Sequence, residues 1–379
     1  MARLLAFGTF LALVGLFLHF RYVRAPRVPR PYSVAIDFVL VLAWALALVG
    51  IGSGELFDPS WARLPAFIGL SWLAVVLYLV LGTVLVGIVT LSIRVVYAAR
   101  RRDSTALRLR ATRIGSATVA AVSLIAVSYG LFEAANPRVT NTTVALERLP
   151  AQFDGTRVAL VSDLHVGPAR GSDFVQKVVD DVNAQNPDMV VLDGDLIDGT
   201  VELVGSDLDP LRHLSAPLGV FAVSGNHEFY ADDGGKWLDL WETLGVTVLR
   251  NERETVTRGG ATIDIAGIND ATAPSPYEPD LGAALAGRDA DDFVFLLAHQ
   301  PLQAFGASDA GVDFQVSGHT HAGQIWPLRY LVPLQQPSVE GLDTVGATTL
   351  YTTRGAGAWG PPVRVAAPPE ISMLQLTSS

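Results

Sequence analysis

Nine residues of this 379-residue chain stand out by type and setting: Asp163, His165, Asp195, Asp198, Asn226, His227, His299, His319 and His321. Each follows a short apolar run and sits in a turn rich in Asp, His, Asn and Gly. The chain has seven histidines. Five fall in these turns; His19 lies in the first apolar run and His213 in a helical segment. A lone histidine is usually structural, but five gathered with three aspartates and an asparagine suit metal coordination. The donors are nitrogen and oxygen only, because the chain has no cysteine, and that mixture favours Mn, Fe or Zn over Mg or Ca. One ion takes about four to six ligands, so the set is large enough for two. Paired ions about 3.5–4 Å apart can activate water and clamp the oxygens of an in-line displacement at phosphorus. One of the aspartates would bridge them. The missing cysteines also exclude disulfides, thiolate metal sites and cysteine nucleophiles.

The elements that must position these residues follow one grammar. RVALV precedes SDLH, DMVVL precedes DGDLID, GVFAV precedes SGNHE, FVFLLA precedes HQP, and DFQV precedes SGHTH. Apolar runs of this length bounded by polar turns are buried strands. Between the first two, Phe174, Val175, Val178, Val179 and Val182 recur at helical spacing, with Ser172 placed to cap. WLDLWETLG reads as another helix, with Trp237 and Trp241 on its buried face. Strands alternating with helices predict an α/β sheet, whose functional groups gather at the carboxyl ends of its strands. The later part is more purely β: GVTVLRN, a hairpin turning at Gly259–Gly260, and TLYTTRG. The expected core is two mixed sheets packed face to face with helices outside.

Taken together, DLH, GDLID, GNHE, AHQP and GHTH in this order resemble the calcineurin-like metallophosphoesterases. The resemblance covers about residues 147–376, including LPAQFDGTRVALVSDLHVG at its start and YTTRGAG with PPEI near its end. It is nearest to bacterial membrane-associated members without a large cap. It implies a four-layer sandwich and a phosphoester hydrolase with two divalent metal ions. By motif, Asp163, His165, Asp195 and His321 would bind the first metal. Asp195 would bridge to a second held by Asn226, His299 and His319. His227 would be the general acid that protonates the leaving alkoxide, oriented by Asp198. One departure is Ala322 in GHTHAGQ, where relatives often carry glycine; it concerns a backbone turn and no ligand.

Charge divides the chain. Residues 1–139 hold 14 Arg, no Lys and five acids, a net of +9, and the remainder carries −19. A domain this acidic repels nucleic acid, so attraction to a phosphorylated substrate must come locally, from metals or a few arginines. Hydrophobic residues make up 50% of the chain. Four apolar runs near 4–20, 34–51, 66–93 and 114–132 match the ~20 residues a membrane helix requires. The third has room to continue beyond the bilayer. A soluble bundle would need polar faces, and LAVVLYLVLGTVLVGIV has none. The first run lacks an A-x-A-like cleavage site and is read as a retained span. Arginines crowd the first and third loops (Arg21, Arg24, Arg27 and Arg30; seven between Arg94 and Arg113), which makes those loops cytoplasmic. The large domain then faces the extracytoplasmic side.

The expected organisation is an all-α transmembrane region at 1–135, a linker at 136–150 and a catalytic domain at 151–379. Its substrates would be phosphodiesters or phosphomonoesters of lipids and envelope polymers, with membrane lipids as partners and no nucleic acid. Oligomeric state is left open. Alternatives from other classes are a transporter or sensor with a regulatory hydrolase domain, and a phosphoprotein phosphatase. Arg354 reads equally as a phosphate contact or a structural arginine. The segment IWPLRYLVPL reads as packing beneath a loop in preference to an acyl-chain or bilayer contact.

Overall fold

A computed structural model describes residues 2–379, which divide into two compact units. One comprises residues up to 53, with 60–132 and 360–363; the other comprises 54–59, 133–359 and 364–379.

The first unit is helical. Helix α1 (Ala2–His19) runs on through a π-helical turn, Phe20–Arg24, and is followed by α2 (Arg30–Gly52), α3 (Pro59–Ala99) and α4 (Thr105–Ala134). All four are long and apolar enough to cross a membrane. At 41 residues, α3 extends roughly 60 Å, about twice the ~30 Å hydrocarbon layer. Small residues let the helices approach closely. A side chain on Gly69 would collide with the backbone of Leu46, and one on Gly82 with Val119. The two ionisable groups near span ends satisfy each other: His19 Nδ1 lies 2.6 Å from Asp37 Oδ1, and Arg24 Nε donates to His19 Nε2.

The second unit is built on two six-stranded mixed sheets. The first contains β1 (Arg138–Leu146), β2 (Arg157–Val161), β3 (Met189–Asp193), β4 (Val220–Val223), β5 (Thr247–Val248) and β12 (Glu370–Ser378), in the order β1-β12-β2-β3-β4-β5. The second contains β6 (Glu252–Arg258), β7 (Ala261–Gly267), β8 (Val294–Leu297), β9 (Phe314–Ser317), β10 (Gly341–Val345) and β11 (Thr348–Thr352), in the order β10-β11-β9-β8-β7-β6. Strands β2 to β5 run parallel, as do β7, β8, β9 and β11. The β6–β7 hairpin turns at Gly259–Gly260, both at positive φ.

Between the sheets lies one hydrophobic core, with Leu160, Val191, Phe295, Phe314 and Leu374 fully or almost fully buried. A second core covers the other face of the first sheet with α5 (Ser172–Asn183), the one-turn α6 (Val201–Val204) and α7 (Gly234–Thr243). Valines 175, 178, 179 and 182 of α5 and Trp237 and Trp241 of α7 point into it. A smaller cluster covers the second sheet beneath α8 (Leu281–Ala284) and α9 (Ala304–Asp309).

Two local features depart from the sequence reading. Residues 138–146, read there as part of a connector, form β1, paired in parallel with β12 over its whole length. Its polar residues stay at least partly exposed; Val144 and Leu146 are buried between the sheets, and Val139 packs against the outer core. At the start of α5 the cap is supplied from elsewhere: Ser172 lies inside the first turn, and its N–H donates to the Asp207 carboxylate at 3.0 Å.

Candidate metal centre

All nine singled-out residues follow the carboxyl ends of five strands. Asp163 and His165 come after β2, Asp195 and Asp198 after β3, and Asn226 and His227 after β4. From the second sheet, His299 follows β8, and His319 and His321 follow β9. Parallel strands emit their turns on one edge, so five separate stretches meet in one place. The turns are tight: Asp163, His165, Asp195, His319 and His321 all have positive φ, between 47° and 65°. That conformation costs an L-residue roughly 1–2 kcal/mol and persists where the surroundings impose it. Ala322 shares it at φ 50°, which is the physical reason a glycine suits that position.

Three overlapping groups of donors form, each with its atoms within 4.8 Å of one another: Asp163, His165 and His321; His165, Asp195 and His227; Asp195, His299 and His319. His321 Nε2 is 3.1 Å from both Asp163 Oδ1 and His165 Nε2. Asp195 Oδ2 looks toward both sides, 3.2 Å from His299 Nε2 and 3.8 Å from His165 Nε2. Asn226 Oδ1 lies 2.9 Å from His319 Nδ1, and its amide is oriented by donation from Nδ2 to the Tyr230 hydroxyl. The residues fit divalent metal ions. The donors converge and are largely buried: His299 Nε2 makes no aligned hydrogen bond and faces only the Asp195 carboxylate at 3.2 Å, while its Nδ1–H is fixed by the Asp193 carbonyl at 2.6 Å.

Charge and hydrogen bonding set the protonation states. Burial alone would raise the Asp163, Asp195 and Asp198 carboxyls, but neighbouring histidines outweigh it and hold all three below the usual range. Asp198 is therefore an acceptor only. Its Oδ1 receives the Nδ1–H of His227 at 2.5 Å and that of His165 at 3.1 Å, so one carboxylate fixes two rings. Burial would depress His227, yet Asp195 and Asp198 push it up to about 9. Burial drives His321 down to about 3, with Asp163 opposing and Arg364 assisting. A neutral His321 is what metal coordination requires.

Two supporting residues escaped the sequence reading. Glu228 is wholly buried and accepts the backbone N–H groups of Asp195, Leu196 and Gly225 at 2.7–3.1 Å, tying the β3 and β4 turns together. Burial, reinforced by Asp195, pushes its carboxyl up to about 7. Arg364, also wholly buried, donates to the carbonyls of His321, Gly355 and Gly357 and to His321 Nδ1. The only signal for Glu228 was its place directly after Asn226-His227, and Arg364 carried none. Arg354 proves structural, paired with Glu340 and Glu370.

The segment after His321 corrects an expectation. It does not pack beneath a loop: Trp326 is 48% exposed, Tyr330 68%, Leu331 58% and Leu334 79%. Its two short 3₁₀ turns bury none of their residues. Gln324 binds Trp359 through both ends of its amide, and Trp326 N–H donates to the Val365 carbonyl, so the segment is fastened beside Trp359. Trp359 is itself exposed, with its ring 5.8 Å from that of His227; Tyr230 lies 4.6 Å from His227 on ring centroids.

Comparison with known proteins agrees with this architecture. Residues 156–323 match the family model for calcineurin-like phosphoesterases. A transmembrane protein with metallophosphoesterase domain from Danio rerio is 38% identical over 272 residues, covering 68% of this chain and 62% of that protein. A metallophosphoesterase of Helicobacter pylori strain J99 is 40% identical over 252 residues, 65% of this chain and 66% of its own length. The chain thus spans less than two thirds of either relative. The Bacillus subtilis metallophosphoesterase YkuE is 33% identical over 267 residues, which make up 90% of it. The chain belongs to the calcineurin-like metallophosphoesterase family. It joins a domain of that family to four helices long and apolar enough to cross a membrane.

Proposed function

We propose that this chain is a di-metal phosphoester hydrolase, held by four spans with its catalytic unit outside the cytoplasmic membrane. The observation that carries the proposal is the convergence of seven donor side chains from five strand ends into overlapping groups. Asp163, His165, Asp195 and His321 would hold one ion, and Asp195, Asn226, His299 and His319 the other. Asp195 would serve both, in keeping with its Oδ2 facing donors on both sides. The donor chemistry favours Mn, Fe or Zn. When bound, such ions lower the pKa of water and neutralise charge on the phosphoryl oxygens. The protein supplies the proton: His227, kept protonated by Asp195 and Asp198, gives its Nε2–H to the departing alkoxide while Asp198 holds its Nδ1–H.

Lipid and envelope phosphodiesters or phosphomonoesters are the preferred substrates. Trp359 supports this, because its exposed indole stands 5.8 Å from the His227 ring, and Gln324 fastens the exposed apolar Trp326–Leu334 segment to it. Orientation follows from the arginine-rich first and third loops.

The test is hydrolysis by the full-length chain in detergent, first metal-stripped and then reloaded with Mn²⁺, Fe²⁺ or Zn²⁺. Substrates are p-nitrophenyl phosphate, its bis-ester and a phospholipid. Metal-dependent turnover is expected, abolished in Asp195→Ala and reduced roughly 10²–10⁴-fold in His227→Ala. A metal-loaded, folded chain that leaves every ester intact overturns the hydrolase reading in favour of a sensor.

A further inference from the structure

The helical unit contains a cavity of about 850 Å³. All four helices contribute apolar walls to it, through residues such as Leu18, Ile36, Val75 and Ala120. Its polar lining is sparse and dominated by two arginines, Arg27 from the first loop and Arg113 from α4. Among the described residues neither is paired with a carboxylate. The Arg113 contact recorded is from Nε to the Pro26 carbonyl at 2.8 Å, which ties the first loop to α4. Arg27 is held at φ 57°, a left-handed conformation that a non-glycine residue adopts at a cost. The other polar group of note, the Tyr22 hydroxyl, is already used by the Leu79 carbonyl.

An apolar volume large enough for acyl chains, with two uncompensated guanidinium groups in its lining, complements one class of molecule. We propose that the cavity binds an anionic glycerophospholipid, its acyl chains between the helices and its phosphate headgroup on Arg27 and Arg113. Charge complementarity selects this occupant. An apolar ligand would leave both arginines without a counter-charge, and a zwitterionic headgroup brings its own cation to compete for the phosphate. Arg27 lies in the first loop and Arg113 in the early turns of α4, within the two basic stretches that the positive-inside rule assigns to the cytoplasm, where anionic lipid attracts basic groups flanking membrane helices. The site shares no residue with the metal centre and needs no assumption about its substrate.

The experiment uses the full-length chain, purified in detergent and delipidated. Dioleoyl phosphatidylglycerol and dioleoyl phosphatidylcholine, identical in their chains, are titrated and followed by native mass spectrometry. Phosphatidylglycerol is expected to bind roughly thirtyfold more tightly, the preference two arginines supply. The double variant Arg27→Gln/Arg113→Gln should bring it down to the phosphatidylcholine level. In contrast, Arg100→Gln/Arg101→Gln/Arg102→Gln, which removes one charge more from the link between α3 and α4, should preserve the preference. Equal binding of the two lipids overturns the proposal, as does a preference that survives the double variant. Loss of preference in the triple variant also overturns it, because attraction would then be diffuse. Ala120→Trp, which fills the cavity, should weaken both lipids; unchanged binding in that variant places the lipid elsewhere.

Discussion

At the scale of single residues, the centre depends on one carboxylate holding two rings. Asp198 Oδ1 accepts from His227 and from His165, so it orients both the proposed acid and a proposed metal ligand. Its negative charge is also among the causes that raise His227. Asp198→Asn removes that charge and so lowers the His227 pKa. An acid whose pKa falls is deprotonated at lower pH, and the alkaline limb of the kcat profile should therefore move to lower pH. Esters with poor leaving groups, which need the proton most, should show the shift more strongly than p-nitrophenyl esters. An alkaline limb that stays in place in this variant would count against His227 as the acid.

At the scale of elements, the turns after β3 and β4, and those after β2 and β9 across the two sheets, interlock with almost no space. A side chain on Gly225 would overlap the backbone N and carboxylate of Asp195, and one on Gly318 would meet Ser162 and Asp163. These glycines are required by what lies against them, since neither has a positive φ. Gly225→Ala should thus shift Asp195 while leaving the cores between and outside the sheets untouched. A displacement near 1 Å at a reacting centre costs about 10²-fold in rate, so kcat/KM should fall by roughly that factor, with weaker metal affinity measured by competition with a chelator. Thermal unfolding of the metal-free chain should change little. A large loss of metal-free stability would assign the glycine a folding role in place of a positional one.

At the scale of the whole molecule, the uneven charge is the governing feature. The first 139 residues carry +9 and the rest −19, which fits arginine-rich loops retained in the cytoplasm and an acidic domain on the other side. Reporter fusions after residue 132 and within residues 94–113 should report opposite sides, with the fusion after 132 outside. Activity of an external reporter only in the 94–113 fusion would reverse the orientation. The lipid preference proposed for the helical cavity would then belong to the outer leaflet.

Sequence by itself determined most of what this protein is. Strand–turn repetition marked β2, β3, β4, β8 and β9, because buried parallel strands are near-continuous apolar runs and their polar turns cannot be buried unpaired. Residue type then singled out the nine side chains of the centre, and runs without a polar face marked α1 to α4. What tertiary structure decided lies where long-range partners outweigh local pattern. Strand β1 exists through pairing with β12, more than 200 residues away in sequence; its Thr-rich sequence announces no core face. The α5 cap comes from Asp207, and Glu228 and Arg364 act by gathering backbone groups from distant turns. Exposure of Trp326–Leu334 was equally invisible, since an apolar run reads the same whether the fold covers it or leaves it open. Local sequence encodes which groups are costly to leave in water; only the assembled chain decides which of them find a partner.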